Sequence, residues 1–403
     1  MAQTTNPLAD GDGAQVQFWH WWNSAGESQN ISVLRDYLKK NNLTWAKQSA
    51  QNSSSELYLS RIEQQLKLRP PEAAMMDHQA LKSYDDNAEL LHLDDIAKAQ
   101  DWDEVIPLAI QQQTKRNGHW IAAPLNSHST NWLWINKALF SRLDLPEPDT
   151  WDDLIAVLER AQALGIPALA TPRDDWERGQ VFELVVMSTG GLEFYRRLFV
   201  ELDFREDDRR VIATALLRLQ HLQTYFSDNT QHMSWDQASA KMAHGQVLMQ
   251  IHGSWVNSEL TSIGAQPNVD YLCMRFPGTQ GAYIFYSDHV GFFKATHNNV
   301  EHQKIMARIL LDKDFQRDLS MASGAAPARV DISSAGFNHC SKKSIYDLRM
   351  ANMRRAVMPS INHGALWQLI ADYLQQQLPL ESAVNNLLDI TLEPAQLTPA
   401  KRK

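Results

Sequence analysis

The 403-residue chain is short of cysteine, of surplus positive charge and of long apolar runs, and each shortage narrows what it can be. Its two cysteines, Cys273 and Cys340, have no Cys-x-x-Cys partner, so they suggest no cysteine metal cluster. They read either as small buried apolar residues or as one disulfide. A bond between them would span 67 residues, worth about 4 kcal/mol in the chain-entropy picture, and would imply an oxidising compartment. Lys and Arg number 38 against 47 Asp and Glu, a net charge of −9 without a sizeable basic patch, which argues against a nucleic-acid partner. The basic tail Lys401-Arg402-Lys403 is a solvated end. No window reaches the ~18 uncharged apolar residues of a membrane span. No charged segment followed by an apolar core opens the chain, so a secretory signal is absent and reads as already removed. Residues 1–13 read as a disordered polar lead-in.

Catalytic signatures are missing as well. There is no Gly-x-Ser-x-Gly elbow, no phosphate-cradling loop and no Gly-x-Gly-x-x-Gly turn, hence no nucleotide cofactor. Fourteen histidines form no His-Glu-x-x-His pair or comparable ligand set, so no metal is expected. His78 and His289 each follow an aspartate. Strand neighbours point to opposite faces, and both histidines read as solvated surface.

What remains is an ordinary globular composition, 44% apolar and 21% charged, long enough for two domains. Short apolar strands alternate with amphipathic helices, which indicates an α/β fold. Expected strands are Val16–Trp22, Glu72–Met76, Ile166–Ala170, Gly245–Ile251, Gly281–Tyr286 and Val290–Lys294. Expected helices include Ser28–Asn41, Ser53–Lys67, a run from the N-cap Thr150 to Leu164, Gln180–Thr189 broken by Gly190-Gly191, Arg209–Tyr225, Asp236–His244, His302–Leu311 and Gly364–Gln377. Crossings between two lobes are expected near Ala123–His128, Ser254–Thr261 and Met321–Arg329. Residues 14–123 with about 260–322 then form one lobe, 124–259 with about 323–395 the other, and 396–403 a tail.

Thirteen tryptophans are the richest signal, many of them at turns: Trp21, Trp22, Trp120, Trp132, Trp134, Trp176, Trp255 and Trp367. In Phe18-Trp19-His20-Trp21-Trp22-Asn23-Ser24-Ala25-Gly26-Glu27, a strand end crowds indoles, an imidazole and a carboxylate beside a helix start. Flat aromatic faces stack on the C–H patches of a sugar ring, and carboxylates accept its hydroxyl protons. Trp19 reads equally as core. Trp132 and Trp134 read as core, because alternation buries both on one face. Trp176, in a loop after Arg173-Asp174-Asp175, reads as a ligand contact. Glu27, Asp77 and Asp288 could flank a glycosidic bond or only accept hydroxyls.

In this order His20-Trp21-Trp22 with Glu27, Asn131-Trp132-Leu133-Trp134-Ile135-Asn136, Trp176 before Val181-Phe182-Glu183, and Phe276-Pro277-Gly278-Thr279 resemble the family 1 extracellular solute-binding proteins of ABC sugar importers. The resemblance is to their glucose/mannose-binding branch and spans about residues 16 to 390. It implies a two-lobed periplasmic binding fold, type II-like, with a hinge and an interlobe ligand cleft, docking as a monomer on membrane permease subunits. It places Trp21, Trp22 and Glu27 on the first sugar-contacting segment and Trp176 on the stacking indole of the second lobe. His128, Asp288 and His363 fall on cleft positions, with Asp77 beside them, and Cys273 and Cys340 on a cysteine pair.

Departures from the usual pattern bear on the ligand. Relatives usually carry lysine at the positions of Asp77 and Ser323, arginine at Ser129 and aspartate at Ser254. The Gly-rich turn before the second helix is here Gln51-Asn52-Ser53-Ser54-Ser55. The resemblance then implies a ligand other than plain glucose, an amino sugar or a larger saccharide. A sensory or ligand-presenting protein of the same fold, and a glycoside hydrolase using Glu27 and Asp288, are the other readings.

Overall fold

The computed structural model describes residues 14–46, 69–295, 297, 299–350, 356–357 and 361–392. The expected lead-in 1–13, helix Ser53–Lys67 and tail 396–403 lie outside the described residues.

The first body is built on a four-stranded sheet in the order Phe18–Trp19, Ala73–Met76, His289–Phe292, Ala123–Pro124. The first two strands are parallel, with Phe18 opposite Ala73, and His289–Phe292 runs antiparallel between its neighbours. Ala73 to Met76 are all fully buried, as a strand covered on both faces requires, which is why that stretch reads as an unbroken apolar run. The expected strand Val16–Trp22 is divided. Ala14–Val16 pairs with Leu43–Trp45 in a separate parallel ribbon, and only Phe18–Trp19 joins the sheet. Helix Glu27–Lys40 buries Leu34 and Leu38 on this core, which Met306 and Phe315 complete from later in the chain.

The second body centres on Trp132–Asn136, flanked antiparallel by Met249–Ile251 and Tyr271–Arg275. This pairing corrects the expected assignment of residues from about 260 to the first lobe. Val256 and Leu260 pack with Trp132 and Trp134, so the helix Val256–Ser262 belongs to the second body and is not a crossing. The chain instead returns between Tyr283–Tyr286 and His289–Phe292. The strand Tyr283–Tyr286 lies in a third sheet with Asn126–Ser129, Ala326–Pro327 and Ala356–Val357, at the junction of the two bodies.

Helix Trp151–Ala163 opens on a full capping box, in which the Thr150 hydroxyl caps Asp153 N and Asp153 returns the bond. The expected helix Gln180–Thr189 starts earlier, at Asp175, and its continuation to Tyr195 breaks at Gly191, whose φ of 80° lies in the left-handed region. Ile166–Ala170 forms no full strand; only Leu169 bridges to Phe226 and Met249. Cys273 and Cys340 are joined by a disulfide linking strand Tyr271–Arg275 to helix His339–Met350. That helix also sends Ile345 and Leu348 into the first core, so the bond sits where the two bodies meet.

Candidate functional site

In open α/β sheets, ligands collect outside the carboxyl ends of parallel strands. Phe18–Trp19 and Ala73–Met76 end at one edge, where His289 pairs with Met76, so the Trp21–Glu27 turn, Asp77 and Asp288 emerge together. Glu27 is the first residue of its helix, and its Oε2 accepts N–H bonds from Asn23 at 2.9 Å and Ser24 at 3.0 Å. Burial pushes its carboxyl up to about 7 against the pull of those bonds, with nearby Glu259 adding to the rise. Trp22 is buried in the first core, Trp19 in a small apolar cluster with Met76 and Leu81, and Trp21 is half-buried.

The same turn holds a residue from the other body. Gly26 N donates to Glu259 Oε1 at 2.9 Å and Oε2 at 3.1 Å, and Ser24 Oγ donates to the same carboxylate. A Cβ at Gly26 would stand 2.5 Å from Glu259 Oε1, so glycine is what permits this approach.

His128 lies behind the edge. Its Nδ1 is 3.2 Å from Ser254 Oγ, its Nε2 is 3.8 Å from Asp288 Oδ2, and its ring meets Trp255 edge-on at 5.4 Å. Asn126 Nδ2 donates to Asp288 Oδ2 at 2.8 Å. Burial drives the His128 imidazole down to about 3, which leaves it neutral, and shifts the Asp288 carboxyl up to about 6. Trp176 lies near His252 at 5.2 Å and Trp255 at 6.0 Å, and Trp235 meets His252 edge-on at 5.5 Å. Of the tryptophans expected at turns, Trp120, Trp132 and Trp134 are buried, whereas Trp21, Trp176, Trp255 and Trp367 are half-buried.

His363 is the first residue of helix His363–Leu374. Its Nε2 is 3.1 Å from the Tyr286 hydroxyl, and its ring is 5.6 Å from Trp367. Tyr286 also donates to Glu183 Oε1 at 3.2 Å, and Tyr195 donates to Glu183 Oε2 at 2.8 Å. Burial raises the Glu183 carboxyl to about 7. Glu183 and Gln180 lie outside the expected ligand set. Their signal was helical spacing: Trp176, Gln180 and Glu183 fall at i, i+4 and i+7, one polar stripe on a helix otherwise almost wholly buried. The helix also comes close to its neighbour, since a Cβ at Gly179 would collide with the Trp367 indole.

Asp77 behaves differently from the rest. It is exposed, and Oδ1 caps its own helix by accepting Ala80 N at 2.7 Å. His289, expected on the surface, is fully buried between two strands and driven down to about 3. Of the unusual serines, Ser129 Oγ accepts the Trp132 indole N–H and Arg275 Nη1, Ser254 meets His128, and Ser323 caps Ala325 N. His92, Asp94 and His119 bring possible metal-ligand atoms within 4.8 Å of one another, from positions too far apart in sequence to read as a set. Asp94 Oδ2 already meets His119 Nδ1 at 2.7 Å.

Residues 53–310 match the family of bacterial extracellular solute-binding proteins. A probable sugar-binding periplasmic protein of Brucella melitensis biotype 1 is 33% identical over 401 residues, covering 97% of this chain and 95% of the relative. One of Mesorhizobium japonicum, described in the same words, is 34% identical over 354 residues, 88% of this chain and 85% of that one. Among solved structures, a chitin oligosaccharide binding protein superposes with a TM-score of 0.79 over 95% of this chain and 99% of its own, at 18% identity, which establishes a shared two-lobed fold.

Proposed function

The chain belongs to the bacterial extracellular solute-binding proteins, and from that premise we propose that it is the periplasmic sugar-binding component of an ABC-type importer, a binder and not an enzyme. The observation that carries this reading is the Trp176–His252–Trp255–His128–Asp288 constellation. It sets a half-buried indole face beside hydrogen-bonding groups, among them the His128 imidazole that burial holds neutral and the Asp288 carboxyl. Such a surface suits the C–H face and the hydroxyls of a sugar. Trp176 and Trp21 supply the stacking faces, and Glu27, His128, Asp288 and His363 the hydrogen bonds. Trp22 supports the wall from the core, and Asp77 stands at its rim. The two bodies act as lobes that close over the ligand, and the closed monomer docks on permease subunits. The serines and the aspartate at the usual cationic positions favour a ligand other than plain glucose.

Calorimetric titration with a panel of mono- and disaccharides tests this reading. At least one sugar binds, and Trp176→Ala weakens it by about tenfold or more, equivalent to about 1.4 kcal/mol. Silence across the whole panel would sink the transport reading. The same substitutions also support a sensory protein of this fold. An adjacent sensor-kinase gene would favour signalling, and adjacent permease genes import.

A further inference from the structure

Four carboxyl groups lie around the cleft, Glu183 and Glu259 buried and Glu27 and Asp288 half-buried, and no lysine or arginine pairs with any of them among the described residues. Glu183 takes tyrosine hydroxyls, Asp288 the Asn126 amide, Glu27 two backbone N–H groups, and Glu259 the Ser24 hydroxyl and Gly26 N–H. The nearest basic groups, His128 to Asp288 and His363 to Glu183, are imidazoles held neutral by burial, at about 3 and about 4. Elsewhere the protein does pair its partly buried carboxylates with cations. Arg329 binds Asp331 through two bonds of 3.0 Å, and Arg197 forks onto Asp208. Burying carboxyls without a counter-charge is expensive, and a neutral polyol does nothing to relieve that cost.

A second observation concerns a neutral group. Gln180 is only 8% exposed, and its Oε1 has no hydrogen-bond partner. It stands one turn after Trp176 and one turn before Glu183, so it faces the space those two residues border. The buried Trp367 Nε1, beside His363, is likewise unpartnered. A buried acceptor left unpaired costs about 1–3 kcal/mol, and a ligand donor would recover it.

We propose that the ligand is an amino sugar, its ring stacked on Trp176 and its ammonium met by the Glu183 and Asp288 carboxyls and the Gln180 carbonyl. This rests on the sugar-binding reading above and narrows it. An ammonium supplies the missing positive charge and donates three hydrogen bonds where acceptors outnumber donors. N-acetylation or replacement of the amine by hydroxyl keeps the ring and removes the charge, so a site of this kind discriminates strongly against both.

The full chain is titrated calorimetrically with D-glucosamine, N-acetyl-D-glucosamine and D-glucose, and with the β-1,4-linked disaccharides of the first two. The amine form is expected to bind at least tenfold more tightly than its neutral counterparts. Glu183→Gln should bring that ratio close to one while the neutral sugars still bind. Asp288→Asn gives the same readout should the first variant fail to fold, as judged by circular dichroism. Neutral sugars that bind as tightly as the amine would overturn the amino-sugar inference and leave sugar binding standing. Absence of binding by every compound would overturn both.

Discussion

Buried ionisable side chains give this protein a pH profile whose sign can be worked out. Glu27, Glu177 and Glu183 are raised from 4.5 to about 7, 8 and 7, and Asp288 from 3.8 to about 6, in each case mainly by burial. A raised carboxyl binds more protons folded than unfolded, so its stabilisation is lost as pH climbs from the unfolded to the folded value. The buried histidines work in the opposite direction. His20 and His363 fall from 6.5 to about 4, and His128, His252 and His289 to about 3, so their neutral burial favours folding as pH rises to 6.5. Between about 4.5 and 6.5 the two slopes oppose each other, and above 6.5 only the carboxyls act. Thermal unfolding without added sugar should therefore show a plateau near pH 4.5–6.5 and a decline toward pH 8, and Glu183→Gln should flatten that decline. A midpoint that climbs from pH 6.5 to 8 would contradict this account. At this scale the sequence singles out Trp176, Glu27, His128, Asp288 and His363 as candidate ligand residues. It concealed Glu183 and Gln180, because a polar stripe on a helix says nothing of what faces it.

Strands, helices and the bond between two of them form the next scale. The disulfide fastens strand Tyr271–Arg275 of the second sheet to helix His339–Met350, whose far end enters the first core. Sequence positions 67 apart make it a long-loop constraint, so Cys273→Ser should cost about 2–5 kcal/mol in urea unfolding. A variant with an unchanged midpoint and slope would show that packing alone holds the junction. Helices Glu27–Lys40, Trp151–Ala163, Arg209–Gln223, Trp235–Ala243, Val300–Leu310 and His363–Leu374 are legible to within a few residues, since apolar periodicity and Thr150 as N-cap are local signals, whereas Lys313–Ser323, His339–Met350 and Leu380–Leu392 are not among those expected. Strands were less so. Val16–Trp22 reads as one run, but Gln17 gives its N–H to Glu72 Oε2 at 2.9 Å, and the flanking segments pair with different partners. Ile166–Ala170 has strand composition but only single-residue bridges.

At the scale of the whole molecule, a contact from the Ser24–Gly26 turn to Glu259 links the two bodies. It joins the helix N-terminus of the first body to helix Val256–Ser262 of the second, and it forms only when the two are close. A methyl group at Gly26 would meet Glu259 at 2.5 Å and push the helix away. Gly26→Ala should therefore leave thermal stability nearly unchanged, enlarge the radius of gyration measured by small-angle scattering with sugar bound, and weaken sugar affinity severalfold. An identical scattering profile for variant and parent with sugar bound would show that this contact does not govern closure.

The sequence by itself determined the α/β class and several of the long helices, because each depends on periodicity, caps or residue types within one short segment. Only the tertiary structure decided that Tyr271–Arg275 pairs in the second body, that His289 is buried, that Glu183 meets Tyr286 and that Glu259 meets the Ser24–Gly26 turn. Those outcomes depend on which strand pairs with which and on which faces meet across the cleft. Contacts between segments a hundred or more residues apart leave no periodic trace along the chain.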